Sequence, residues 1–175
     1  MNKKDVIQQI DGLYQFFRYS RSFIPFINPN LAGQKPSLPF NISKNVRSQI
    51  DFNEPLSEDF ISFNNQTGHF LNQNFLIRLY DLLKYHQIVS AKEKINKNLP
   101  GSDEIDILRR LRRLFSHTSG KYDKDDQEKD KLAKRIISHF KLQITEPNDF
   151  PISIDTVIAP IVTKTKEYIR AKFSK

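Results

Sequence analysis

At 175 residues the chain is long enough to bury a core of ordinary domain size without disulfides or metals as staples, and it reads as one domain. The absence of cysteine excludes a disulfide framework, a thiolate zinc site and a cysteine nucleophile, and it suits the reducing cytoplasm. The balance of 28 Lys+Arg against 20 Asp+Glu, a net charge of +8, favours phosphate-rich partners such as nucleic acid.

Lys3 and Lys4 are followed by Asp5, Gln8, Gln9 and Asp11 rather than by an apolar run, so no secretory signal is expected. No run of apolar residues approaches the roughly 20 that a membrane helix needs, and no membrane partner is expected. From Asp5 to about Phe23, Val6, Ile10, Leu13, Phe16 and Phe17 recur at three- and four-residue steps, which predicts a first helix with one buried face. It should end near Pro25. Pro29, Gly33, Pro36 and Pro39 then predict a long irregular loop over 25–57, with a short strand or helical turn near Ile42 to Ile50. Phe23, Phe26, Ile27, Leu31, Leu38 and Phe40 are expected to wrap against the core.

A second helix is predicted from the Asp59–Gln66 region to about Lys94 on the stripe Leu71, Phe75, Leu79, Leu82 and Leu83, with Gly68 as a break near its start. Pro100-Gly101 punctuates the chain, and Ser102 with Asp103 and Glu104 behind it predicts an N-cap followed by acids in the first turn of a third helix. Ile107, Leu108, Leu111, Leu114 and Phe115 form its buried face, and Thr118-Ser119-Gly120 supplies the stop. The charged run Lys121 to Asp130 is a solvated turn into a fourth helix defined by Leu132, Ile136, Ile137 and Phe140, closed by Pro147 and Pro151. Val157, Ile158, Ile161, Val162, Tyr168 and Ile169 predict a fifth helix over about Ile154 to Phe173, kinked at Pro160. Its basic tail, Lys164, Lys166, Arg170, Lys172 and Lys175, complements the helix dipole. The expected fold class is all-α, an up-and-down bundle of about five helices with a long loop after the first.

Chemistry narrows by elimination. His69, His86, His117 and His139 are not spaced as helix-borne metal ligands, so no metal is expected, and the scattered glycines form neither a P-loop nor a dinucleotide turn. Ser116 and Ser119 flank His117 but lack the strand-turn-helix setting of a nucleophile elbow. The run from Leu108 to Gly120 remains, with Arg109, Arg110, Arg112 and Arg113 within five residues. On a helix Arg110 and Arg113 fall within about 40° of His117, and Arg112 lies on the other flank. An imidazole beside guanidiniums is what metal-free phosphodiester chemistry needs, since it exchanges protons near neutral pH while the cations stabilise a phosphorane.

The stretch Arg112-Arg113-Leu114-Phe115-Ser116-His117, with Gly120 and an acidic turn behind it, resembles the R-x4-6-H signature of the HEPN superfamily over about residues 102 to 140. The resemblance implies a helical bundle that dimerises with two motifs facing one cleft. It implies a metal-independent endoribonuclease of toxin-antitoxin, defence or RNA-processing systems, with no cofactor, or else a non-catalytic RNA- or nucleotide-binding scaffold. By the motif Arg112 and His117 are the catalytic pair, and Arg109, Arg110, Arg113 and Ser116 are candidates for substrate binding. Arg113 stands where the motif usually has Asn, which departs from the pattern because Arg only donates hydrogen bonds. An antitoxin or a nucleotidyltransferase is the implied protein partner. A purely structural domain would instead tie its arginines to Asp103, Asp106 or the acids of 123–130.

Overall fold

A computed structural model describes residues 3–24, 29–43, 46–90, 95–117, 121–144 and 150–174, with the side chains of 38–43, 46 and 50 outside the description. The α-helices are α1 (Lys3–Ser22), α2 (Phe60–Tyr85), α3 (Ser102–His117), α4 (Gln127–His139) and α5 (Ala159–Lys172). Cross-contacts give their directions. Arg21 near the end of α1 lies against Gly68 near the start of α2, and Gln9 near the start of α1 bonds His86 after the end of α2, so the two helices are antiparallel. Glu104 and Asp103 at the head of α3 meet His139 and Arg135 at the tail of α4, so that pair is antiparallel as well. The all-α bundle expected from periodicity is the fold, with α3 central and in contact with α2, α4 and α5.

One apolar core draws on all five helices. Val6, Ile10 and Phe17 bury one face of α1, and Phe17 stacks on Phe75 with ring centroids 4.5 Å apart. Ile107, Leu108, Leu111 and Phe115 bury the inner face of α3 as the spacing predicts, Ile105 joins them, and Leu114 is only half-buried against the core. Phe16, assigned to the α1 stripe, is instead 70% exposed.

The segment after α1 departs from an irregular loop, and the short strand or turn expected near Ile42 to Ile50 is there as the second strand of a hairpin. A short 3-10 turn (Pro29–Leu31) leads into an antiparallel hairpin of β1 (Ser37–Ser43) and β2 (Val46–Asp51), with Ser37 opposite Asp51 and an irregularity between Asn41 and Ser43. Pro39 is tolerated because a two-stranded sheet has only edges, where a missing N–H can face solvent. The expectation that this segment wraps the core fails at Phe23, which is 67% exposed, and at Leu31, which is half-buried outside the core cluster, whereas Pro36 is buried. Pro25, Phe26 and Ile27 lie outside the described residues, as do the side chains of Leu38 and Phe40.

Helix boundaries correct four further expectations. α2 ends at Tyr85 rather than near Lys94, which lies outside the described residues. Gln87 adopts φ 56°, its N–H bonds the Lys84 carbonyl and the N–H of Ile88 bonds that of Leu83, a Schellman-type stop closed by the buried Ile88. Gly68 does not break the helix; it is buried in it, because a Cβ there would run into the Arg21 guanidinium. Ser102 is the first helical residue rather than the N-cap, and its hydroxyl donates to the Lys97 carbonyl at 3.2 Å. Gly101 precedes it at φ 80° and passes so close to the Lys164 carbonyl that no Cβ fits. In place of one α-helix from Ile154, a π-helical turn (Ile154–Ile158) runs into α5, with Pro160 in the first turn of α5. The stop at Thr118-Ser119-Gly120 and the break at Pro147 lie outside the described residues.

Candidate functional site along α3

The amphipathic pattern that buries Leu108, Leu111 and Phe115 fixes where every polar residue of α3 must point. Arg110, Arg113 and His117 follow at three- and four-residue steps and form a row on the outer face, and all three are exposed. Arg113 and His117 have no ion-pair partner among the described residues. His117 therefore faces outward, not into a groove beside the core. Arg112 lies five residues before it, about 140° round the helix. Its Nε donates to Asp81 Oδ1 of α2 at 3.3 Å. Within one chain the two residues of the R-x4-6-H pattern do not converge. Ser116 is exposed on the flank that follows Arg112.

The tail of α3 is held in place by aromatic edges. The Phe115 ring meets Phe150 edge-on at 5.9 Å, and Tyr122 meets the same ring at 5.7 Å. The Tyr122 hydroxyl in turn donates to Asp130 at 3.1 Å, which ties Tyr122 to α4. The last turn carrying Arg113, Ser116 and His117 is thus presented on a packed base.

Arg109 and Arg110 behave differently from Arg113. Arg109 Nη2 donates to Asp106 Oδ1 at 2.5 Å, and Arg110 Nε donates to Asp106 Oδ2 at 3.1 Å. Arg135 of α4 adds a third guanidinium, with Nη1 at 2.5 Å from Asp106 Oδ2 and Nη2 at 3.3 Å from Asp103 Oδ1. Burial would raise the Asp106 pKa, but the bonds from Arg135 and Arg109 and the charges of Arg110 and Arg109 outweigh it and hold the carboxyl below its ordinary range. Burial pushes the Tyr80 hydroxyl up despite the nearby charges of Arg109 and Arg112, so it stays protonated beside them. These arginines surround a cleft of about 470 Å³ at the head of α3, lined also by Ile95, Lys97 and Ser102.

Helical spacing predicts Arg110 beside His117, whereas the structure ties both Arg109 and Arg110 to Asp106, the pairing expected of a purely structural domain. Arg135, Lys97 and Asp81 come from other parts of the chain, and no local spacing points to them. Of the other histidines, His86 bonds Gln9 and His139 bonds Glu104, each at 2.9 Å. The basic tail of α5 is partly absorbed internally: Lys164 pairs with Glu167, Lys166 with Asp11, and Lys172 donates to the Ile88 carbonyl. No described helix is long and apolar enough to cross a membrane.

No protein-family model matches the chain, and neither a curated protein nor a solved structure is significantly similar to it. Fold and charge together define a helical bundle that presents cations and one imidazole along a central helix.

Proposed function

We propose that the protein is a HEPN-type, metal-independent endoribonuclease of the cytoplasm that acts as a homodimer. The observation that carries this reading is the exposed pair Arg113 and His117 on the outer face of the last turn of α3, neither of them ion-paired among the described residues. RNA brings its own nucleophile. An imidazole that removes the 2′-OH proton lets that oxygen attack the adjacent phosphorus, the P–O5′ bond breaks, and a proton delivered to O5′ leaves a 2′,3′-cyclic phosphate and a 5′-hydroxyl. Two proton-transfer groups are needed, one as base and one as acid, and a two-fold axis near the tail of α3 supplies His117 from each copy. Arg113 and the arginine of the opposing motif then carry the phosphorane charge.

The Arg112–Asp81 ion pair favours a second reading, a non-catalytic HEPN-like scaffold that holds RNA, a nucleotide or an acidic partner, because it occupies the motif arginine within the chain. Single-stranded RNA incubated with the protein in EDTA separates the two. Fragments ending in 2′,3′-cyclic phosphate support the ribonuclease, and intact RNA that nonetheless stays bound supports the scaffold.

A further inference from the structure

The cleft at the head of α3 lies about 16 Å along the helix from His117, taking the eleven residues from Asp106 at 1.5 Å each, and the cleavage reading does not use it. Lys97, Arg109, Arg110 and Arg135 line it against two carboxylates, Asp103 and Asp106. Four cations and two anions leave two positive charges in a cavity of about 470 Å³. The arrangement is organised rather than neutralised: the single carboxylate of Asp106 bonds three guanidiniums drawn from two helices. A guanidinium has five N–H groups, so each retains donors beyond those given to Asp106 and, from Arg135, to Asp103. Arginines locked in this way have already lost the side-chain freedom that binding an anion would otherwise cost.

From this geometry we infer that the cleft binds a phosphate monoester, taken from a free mononucleotide or from the 5′ end of an RNA. A monoester carries close to two negative charges at neutral pH, which matches the charge excess, whereas each backbone diester carries one. The cavity has the size of sites that take small ligands, with Ile95 as an apolar wall and the positive end of α3 adding to the field.

The test is independent of cleavage. A short 2′-O-methyl oligonucleotide, which has no 2′-OH to attack, is prepared with a 5′-phosphate and with a 5′-hydroxyl, and both are titrated by fluorescence anisotropy beside AMP and adenosine. A preference of about 10-fold for the 5′-phosphate assigns the site to an RNA end, and AMP binding without adenosine binding assigns it to a free nucleotide. Lys97→Gln, at an exposed position, and Arg135→Gln should each weaken that binding about 10-fold, with circular dichroism confirming that both are folded. His117→Ala should leave it unchanged, so a failed ribonuclease reading does not touch the outcome. Equal affinity for both oligonucleotide ends together with no AMP binding overturns the inference, as does unaltered phosphate binding in both cleft variants.

Discussion

At the scale of single residues, Asp106 organises one end of α3. Its carboxyl is held below the ordinary range, so the bonds to Arg109, Arg110 and Arg135 favour the folded state wherever the carboxylate is charged. A group with a depressed folded pKa contributes stability that is complete above its unfolded value, about 3.9, and that is lost as pH falls through the folded value. Asp106→Asn should therefore lower stability at neutral pH, and the gap to wild type should narrow as pH falls below about 3.9 and through the folded value. Denaturant melts at stepped pH measure this, and a gap that stays constant across the range would mean that the charge on Asp106 has no part in it. Arg113 has the opposite character, exposed and without an ion pair among the described residues. Arg113→Ala should leave stability within about 0.5 kcal/mol of wild type while weakening RNA binding, and the loss should fade as salt rises because it stems from phosphate neutralisation. Filter binding at stepped salt checks it; equal RNA affinity at low salt would remove Arg113 from the interface.

At the scale of elements, α3 carries both the core and the candidate site, and the two depend on one another through its rotation. Leu111 is fully buried and Phe115 is 8% exposed. Leu111→Ala and Phe115→Ala should each cost about 2–5 kcal/mol, the transfer loss plus the cavity left behind. Chemical denaturation decides it, and a loss below about 0.5 kcal/mol at both sites would mean a different face of α3 is buried. The helix was legible in the sequence because Ile105, Leu108, Leu111 and Phe115 share one period while Pro100-Gly101 marks its start. The end of α2 was not, because a left-handed Gln87 does the work usually signalled by glycine. Of the hairpin only the second strand was legible, near Ile42 to Ile50; Pro36, Pro39 and short polar stretches hid the first, and strand pairing depends on a partner that no local window contains. In the site, the helical period gave the outward row of Arg110, Arg113 and His117 its common side. Asp81 on α2 and Arg135 on α4 reach α3 only through tertiary packing, and so the division of the arginines between two ends of the helix stayed hidden.

At the scale of the whole molecule, the proposed chemistry needs more than one chain. A single His117 supplies one proton-transfer group, and Arg112 points about 140° away from it, so an isolated copy holds half of an acid-base site. Light scattering should report a homodimer at micromolar concentration, and a monomer at tens of micromolar would count against two-fold completion of the site. The central claim is tested most directly by RNA cleavage in EDTA with wild type and His117→Ala side by side. His117 is exposed, so removing its ring should leave the fold and RNA affinity near wild type. The account predicts that wild type cuts single-stranded RNA to 2′,3′-cyclic phosphate ends and that His117→Ala, folded and still binding, cuts none. Wild type that leaves the RNA intact, or His117→Ala that cuts as fast as wild type, would contradict it.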